Sequence, residues 1–169
     1  MEVYDNTNIV NGWLRCVELG FNLLNTQNNR EYCIFSTQYN DGGQTQYCTL
    51  SITDLGVLAF RAYGFGSQPG PLRLEMTGAQ LAVGTNYHVI VNFDDTNGGA
   101  AAIYVNGALY ASGTSTGSWN VQSGWIRFGT DLTQSLYENF RGRIDNCSLY
   151  NYELDDTQRD EHFTRGGIS

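Results

Sequence analysis

Apolar residues fall at every second position along most of this chain. Val17, Leu19, Phe21 and Leu23 share one strand face, with Glu18, Gly20 and Asn22 on the other. Cys33 and Phe35 alternate with Tyr32 and Ile34, and Cys48, Leu50 and Ile52 repeat the pattern. After an Asp54-Leu55-Gly56 turn, Leu58, Phe60 and Ala62 oppose Val57, Ala59, Arg61 and Tyr63 in a run reaching Phe65. Leu72, Leu74 and Met76 form a further strand, then Tyr87, Val89, Val91 and Phe93. A period of two is the signature of pleated strands with one buried face. Asn106-Gly107 marks a two-residue hairpin of type I′, whose central residues both need positive φ. Pro69-Gly70-Pro71 reads as a loop, because proline cannot donate to a sheet ladder. One short helix is predicted near the end. Asp155 is its N-cap, Gln158 the reciprocal member of a capping box, and Gly166-Gly167 its stop. Many short strands with Gly, Asn and Asp turns predict a two-sheet antiparallel jelly-roll sandwich, a single domain over residues 1–169.

Composition narrows the function classes. A chain of 169 residues can bury a substantial core, and twenty glycines with two prolines suit tight turns rather than disorder. The net charge of −8 argues against nucleic acid or anionic membrane as partner. No apolar run approaches the 18 residues of a membrane span, so no membrane insertion is expected. All nine basic residues are arginine. The opening Met1-Glu2-Val3-Tyr4-Asp5 has neither a basic n-region nor an apolar h-region. With Met1 as a native start, this predicts cytosolic synthesis and release by lysis or within an assembly. Cys16, Cys33, Cys48 and Cys147 contain no C-x-x-C pair, which excludes the common zinc patterns. Cys33 and Cys48 can face each other across a hairpin, but free thiols are the expectation for such a chain.

The last third carries an ordered series of motifs: Tyr87-His88-Val89-Ile90-Val91-Asn92-Phe93-Asp94-Asp95, Ile103-Tyr104-Val105-Asn106-Gly107, Ile126-Arg127-Phe128-Gly129 and Phe140-Arg141-Gly142-Arg143-Ile144-Asp145, followed by Leu149-Tyr150-Asn151 and Leu154. In this order it resembles the laminin-G/pentraxin-like branch of the concanavalin A-like lectin fold, over roughly residues 80–165. The resemblance implies a jelly-roll sandwich. It says less of function, since that fold hosts lectins, adhesion modules and passive spacers.

Catalytic patterns are poorly supported. Gly113-Thr114-Ser115-Thr116-Gly117 matches G-x-S-x-G, but follows a hairpin and has no helix behind it to present the serine. His88 and His162 are the available bases. Glucanases of the resembled fold carry carboxylates on alternate residues of one strand, about 5 Å apart in retaining enzymes. No apolar run here has such a pair. Asp155, Asp156, Asp160 and Glu161 read as a solvated helix face.

Binding chemistry has more candidates. Asp94, Asp95 and Asn97 offer calcium hard oxygen ligands in one loop, although the same residues serve ordinary turns. Asp145 shares its strand parity with Cys147 and Leu149 and is expected to point coreward, into a hydrogen-bond network or onto calcium. For a sugar, Trp119, Trp125, Tyr63 and Tyr110 are the candidate stacking residues, each with a packing alternative. Taken together these features predict a non-enzymatic surface-recognition module. The leading setting is decoration of a virion, a phage capsid or tail, whose partners are other virion proteins, glycans or both. A stand-alone extracellular lectin and a glycoside hydrolase of the same fold are the alternatives. Self-association stays open.

Overall fold

The computed structural model describes residues 2–4, 14–24, 30–41, 44–66, 72–94, 96, 98–117, 125–130 and 138–165. In chain order the described elements are β1 (Glu2–Tyr4), β2 (Cys16–Leu23), β3 (Tyr32–Asp41), β4 (Gln44–Ile52), β5 (Val57–Gly66), β6 (Leu72–Gln80), β7 (Asn86–Phe93), β8 (Ala100–Val105), β9 (Ala108–Thr114), β10 (Trp125–Phe128), β11 (Glu138–Asn139), β12 (Gly142–Tyr150) and α1 (Asp156–Arg165). They form two sheets, as the alternation predicts. A seven-stranded sheet runs β1-β10-β3-β4-β5-β6, with β11 pairing β3 in parallel. A five-stranded antiparallel sheet runs β12-β2-β7-β8-β9.

The inward faces meet in one core. Val17, Leu19, Phe21 and Leu23 pack with Val89, Val91, Phe93 and Ile103 on one side, and with Phe35, Leu50, Phe60, Leu74 and Phe128 on the other. Phe60 and Phe93 stack across the sandwich at 5.4 Å between ring centroids. Gly142 of the F-x-G-x-I-D motif is explained by close approach, since a Cβ there would overlap the Asn22 carbonyl oxygen and the Phe140 ring. The register sets Cys33 opposite Ser51 and Cys48 opposite Thr37, so these cysteines do not face each other, and none of the four forms a disulfide. Burial pushes the Cys48 thiol well above its ordinary value and Cys147 up to about 11.

Strand β12 departs from simple alternation. Its register against β2 shifts between Asp145 and Ser148, and Asn146 takes a φ of 50°. This bulge inserts an extra position, so Ile144 and Cys147 both contact the core while Asp145 turns outward and is exposed. The expected coreward Asp145 is thereby corrected. Its carboxylate instead lies over Gly20 on the outside of the sheet.

The hairpin between β8 and β9 closes as predicted, with φ of 51° at Asn106 and 78° at Gly107. Asn106 is tied to His88 twice. Its backbone N–H donates to the His88 carbonyl at 2.8 Å, and its Oδ1 accepts the His88 N–H at 2.9 Å.

The outer face of β2 and β7 is covered by the C-terminal segment. Leu154 packs with Cys16 and Ile90, flanked by Tyr104 and Tyr150. Buried Asn92 clamps Leu154 from both sides, donating to its carbonyl at 2.7 Å and accepting its N–H at 3.2 Å. Helix α1 opens with the predicted capping box. Gln158 N–H donates to Asp155 Oδ1 at 2.9 Å, and Asp155 N–H donates to Gln158 Oε1 at 3.0 Å. No residue of α1 is itself buried. Polar contacts fasten it to the sheet. Glu18 Oε1 lies 2.8 Å from His88 Nε2, and its Oε2 meets Tyr150 Oη at 2.6 Å and His162 Nδ1 at 2.9 Å. Burial alone would raise the Glu18 carboxyl, but hydrogen bonds from His88, Tyr150 and His162 prevail and hold it down at about 2. The Tyr150 hydroxyl is pushed up to about 12 by burial and by bonding to that carboxylate.

Three outcomes follow from this arrangement. Gly107→Val should cost about 1–3 kcal/mol, because valine resists positive φ and its Cβ would meet Phe163 at 3.0 Å. An unchanged urea midpoint would refute the turn assignment. Asp145→Ala should lower stability by less than about 1 kcal/mol, as expected for an outward residue; a loss of several would restore the buried-network reading. The Glu18 carboxyl is depressed in the fold, so its contribution is complete above pH about 4.5 and fades as pH falls toward about 2. Urea unfolding of the parent chain and Glu18→Gln at pH 6 and pH 2.5 should therefore show their stability gap narrowing by about 2–3 kcal/mol in acid. Parallel acid limbs would contradict it.

Candidate functional site

The outward face of the seven-stranded sheet is where side chains with binding chemistry converge. Because Phe35, Leu50, Phe60 and Phe128 point inward, their neighbours point outward in rows across the strands. One row runs Arg127, Ser36, Thr49, Arg61 and Glu75. The adjacent row sets Trp125 opposite Gln38, then Tyr47 and Tyr63.

Although they face away from the core, Ser36, Thr49 and Tyr47 are buried, while Tyr63 is half-buried and Glu75 exposed. The Tyr47 and Tyr63 rings stack at 4.4 Å with 16° between planes. Arg61 has a side chain only 13% exposed, yet lies on an outer face. Its guanidinium bridges two carboxylates, with Nη1 2.5 Å from Glu31 Oε2, Nη2 3.1 Å from Glu31 Oε1 and Nε 2.6 Å from Glu75 Oε1. Ser51 Oγ adds a long contact to Glu31 at 3.5 Å, and Ser36 donates to the Thr130 carbonyl at 3.0 Å. A bulge between β5 and β6 leaves Arg73 without a ladder partner, its side chain folded over Gly64 and Gly117. Its buried Nε has no acceptor among the described residues. The result is a rigid aromatic step beside a framed guanidinium.

A second recess lies on the outer face of the five-stranded sheet, between β8, β9 and the start of α1. It is a cleft of about 820 Å³ lined by Ala102, Tyr104, Leu109, Thr114, Glu153 and Arg159 among others. Arg159 lies 3.9 Å over the Tyr104 ring and donates to the Leu154 carbonyl at 2.7 Å.

Those residues expected from sequence that the structure describes do not converge on one place. Tyr63 belongs to the outer face just described, and Trp125 enters the same row by its backbone position. Trp119, Asp95 and Asn97 lie outside the described residues. Tyr110 bridges the sheets. Its ring lies over Gly78, and its hydroxyl bonds the Leu58 N–H and the Ala79 carbonyl. Burial raises its hydroxyl above the ordinary range. Asp94 accepts the Thr96 N–H at 2.9 Å and pairs with Arg15 at 2.8 Å; these bonds, the Thr96 one foremost, lower its carboxyl. Asp145 is on the opposite sheet, outward-facing. Among the described residues no three His, Cys, Asp or Glu side chains gather as a metal site. Ser115 of the G-x-S-x-G stretch is buried with its hydroxyl bonded to the Gly117 carbonyl, and both histidines bond Glu18. Sequence reading missed Tyr47, Glu31, Glu75 and the framed Arg61. The available signal was the polar series Tyr47, Thr49, Ser51 at period two, on the face opposite Cys48, Leu50 and Ile52.

The comparisons agree with this architecture. No curated protein matches the sequence. Among solved structures, the CBM40 module of the Ruminococcus gnavus IT-sialidase superposes with a TM-score of 0.68 at 17% identity, covering 99% of this chain and 96% of that one. The same module bound to α2,3-sialyllactose gives 0.67. A heptameric SAP-like pentraxin from Limulus polyphemus gives 0.62 at 15% identity, covering 92% and 72%. Trypanosoma rangeli sialidase gives 0.63 at 15% identity, over 92% of this chain but 23% of that enzyme. At these identities the likeness is one of fold. A laminin-G-type family model matches residues 17–158, and the chain therefore belongs to the concanavalin A-like lectin/glucanases superfamily.

Proposed function

We propose that this protein is a non-catalytic glycan-binding module whose site is the outer face of the seven-stranded sheet. The observation that carries the reading is the stacked Tyr47–Tyr63 pair beside Arg61, which is clamped between Glu31 and Glu75. A pyranose needs a flat apolar step for its C–H face and fixed acceptors and donors for its hydroxyls. Tyr63 supplies the step, and the second oxygen of exposed Glu75 is an acceptor held in place by Arg61. Pre-formed geometry matters because affinity is lost wherever side chains must first be ordered.

Support also comes from the similar CBM40 module, a carbohydrate-binding part of a sialidase seen with α2,3-sialyllactose. The non-catalytic part of the proposal rests on Ser115 being tied to Gly117 and on both histidines being engaged by Glu18. As setting we propose a virion or other assembly surface. What favours it is the acidic, lysine-free composition, which suits a decoration that must not adhere to nucleic acid.

Calorimetric titration with α2,3-sialyllactose, α2,6-sialyllactose and lactose tests the reading. At least one should bind, and Tyr63→Ala should weaken it ten-fold or more while the urea midpoint moves little. No product should accumulate in the same samples. Silence across all three sugars, equal binding by Tyr63→Ala, or steady turnover would each overturn it.

A further inference from the structure

We infer that the cleft on the opposite sheet is a second, independent saccharide site, one that takes an uncharged sugar. Three observations converge there. The first is shape. At about 820 Å³ the recess falls within the range of about 300–1,000 Å³ typical of ligand sites, ample for a disaccharide. Its floor is made by small side chains, Ala102 among them, so depth comes from residues that leave room.

The second is an apolar lip. Leu109 stands 61% exposed directly across the ladder from Tyr104. Tyr104 cannot swing away, because the Arg159 guanidinium lies over its ring and is itself tied to the Leu154 carbonyl and to Asp156. Leu109, backed by this fixed Tyr104–Arg159 stack, gives an apolar edge against which the C–H face of a pyranose can lie.

The third is charge. Glu153 lines the cleft, is exposed, and forms no ion pair among the described residues. The Thr114 hydroxyl lines the same recess. A carboxylate can accept two sugar O–H donors while a threonine hydroxyl in the same recess serves a third oxygen. The one guanidinium in the wall is already engaged, so the local balance is negative. That balance repels sialylated or phosphorylated ligands and admits neutral hexoses. The two faces would thus differ in ligand, which separates this inference from the Tyr63 site.

Titrating the ¹⁵N-labelled chain with lactose, maltose, cellobiose and N,N′-diacetylchitobiose by NMR is the test. At least one neutral disaccharide should shift the amides of Tyr104, Leu109, Glu153 and Arg159. Leu109→Asp and Glu153→Gln should each weaken that binding about ten-fold, and Tyr63→Ala should leave it intact. Shifts confined to the Tyr63 face, no shifts with any of the four, or unchanged affinity in both cleft variants would overturn the inference. A chain that binds here but not at Tyr63 would sink only the reading of the other face.

Discussion

Strands β2 and β7 are covered on both faces, and much of the rest follows from that constraint. Their inward residues meet the core, while their outward residues lie beneath the C-terminal segment. An antiparallel sheet can leave one face to water, and polar outward residues then need no partner. Here Glu18, His88 and Asn92 are buried on that second face. Each must find hydrogen bonds inside the protein, since an orphaned buried polar group costs about 1–3 kcal/mol. The chain meets the demand with its last twenty residues. Asn92 takes both backbone groups of Leu154, and Glu18 takes Tyr150 and both histidines. Polar satisfaction, more than apolar burial, sets where α1 lies. That accounts for a helix with no buried residue holding its place.

The same constraint assigns the surfaces left for recognition. With β2 and β7 roofed over, the β8–β9 side of the five-stranded sheet is where the roof stops short and leaves the cleft beside Tyr104. The other sheet carries its polar rows outward. There Arg61 is buried more deeply than a surface arginine needs to be, which makes sense only if its carboxylate partners repay the desolvation. Such an array is stiff because each member holds the next. The mutual dependence also means that truncating Glu31 would disturb Glu75 through the arginine they share, so these residues act as a unit rather than additively.

Most of the architecture was legible as period-two alternation, because a sandwich strand states its inward face residue by residue. The Asn106-Gly107 turn and the Asp155–Gln158 box were legible for a different reason. Each is a local device whose chemistry lies within four residues. What was hidden depended on register. The bulge at Asn146 moves Asp145 outward, and nothing in Ile144-Asp145-Asn146-Cys147 declares it beyond an asparagine tolerant of positive φ. Tyr47 and Tyr63 lie sixteen positions apart in sequence and meet only through the β4–β5 ladder. Arg61 likewise joins Glu31 and Glu75 from two other places in the chain. Sites assembled across strands are invisible to any reading that proceeds along one.

Edges complete the logic, because an open sandwich offers unpaired strands to its neighbours. On one side the two sheets close on each other. Tyr110 of β9 reaches the Ala79 carbonyl of β6, and Thr116 donates to the Arg73 carbonyl from both its N–H and its hydroxyl. The β6 and β9 edges are therefore occupied by bonds within the molecule. At the far end of the five-stranded sheet, β12 is an edge strand with a bulge in its middle and with Arg143 exposed. A kinked, charged edge is a poor template for a second chain. Arginine suits that position better than its charge alone suggests, since its planar head can lie on neighbouring rings, as Arg141 does over Tyr32 at 5.5 Å. The edges that this chain protects are the ones that do not carry the recognition proposed for it.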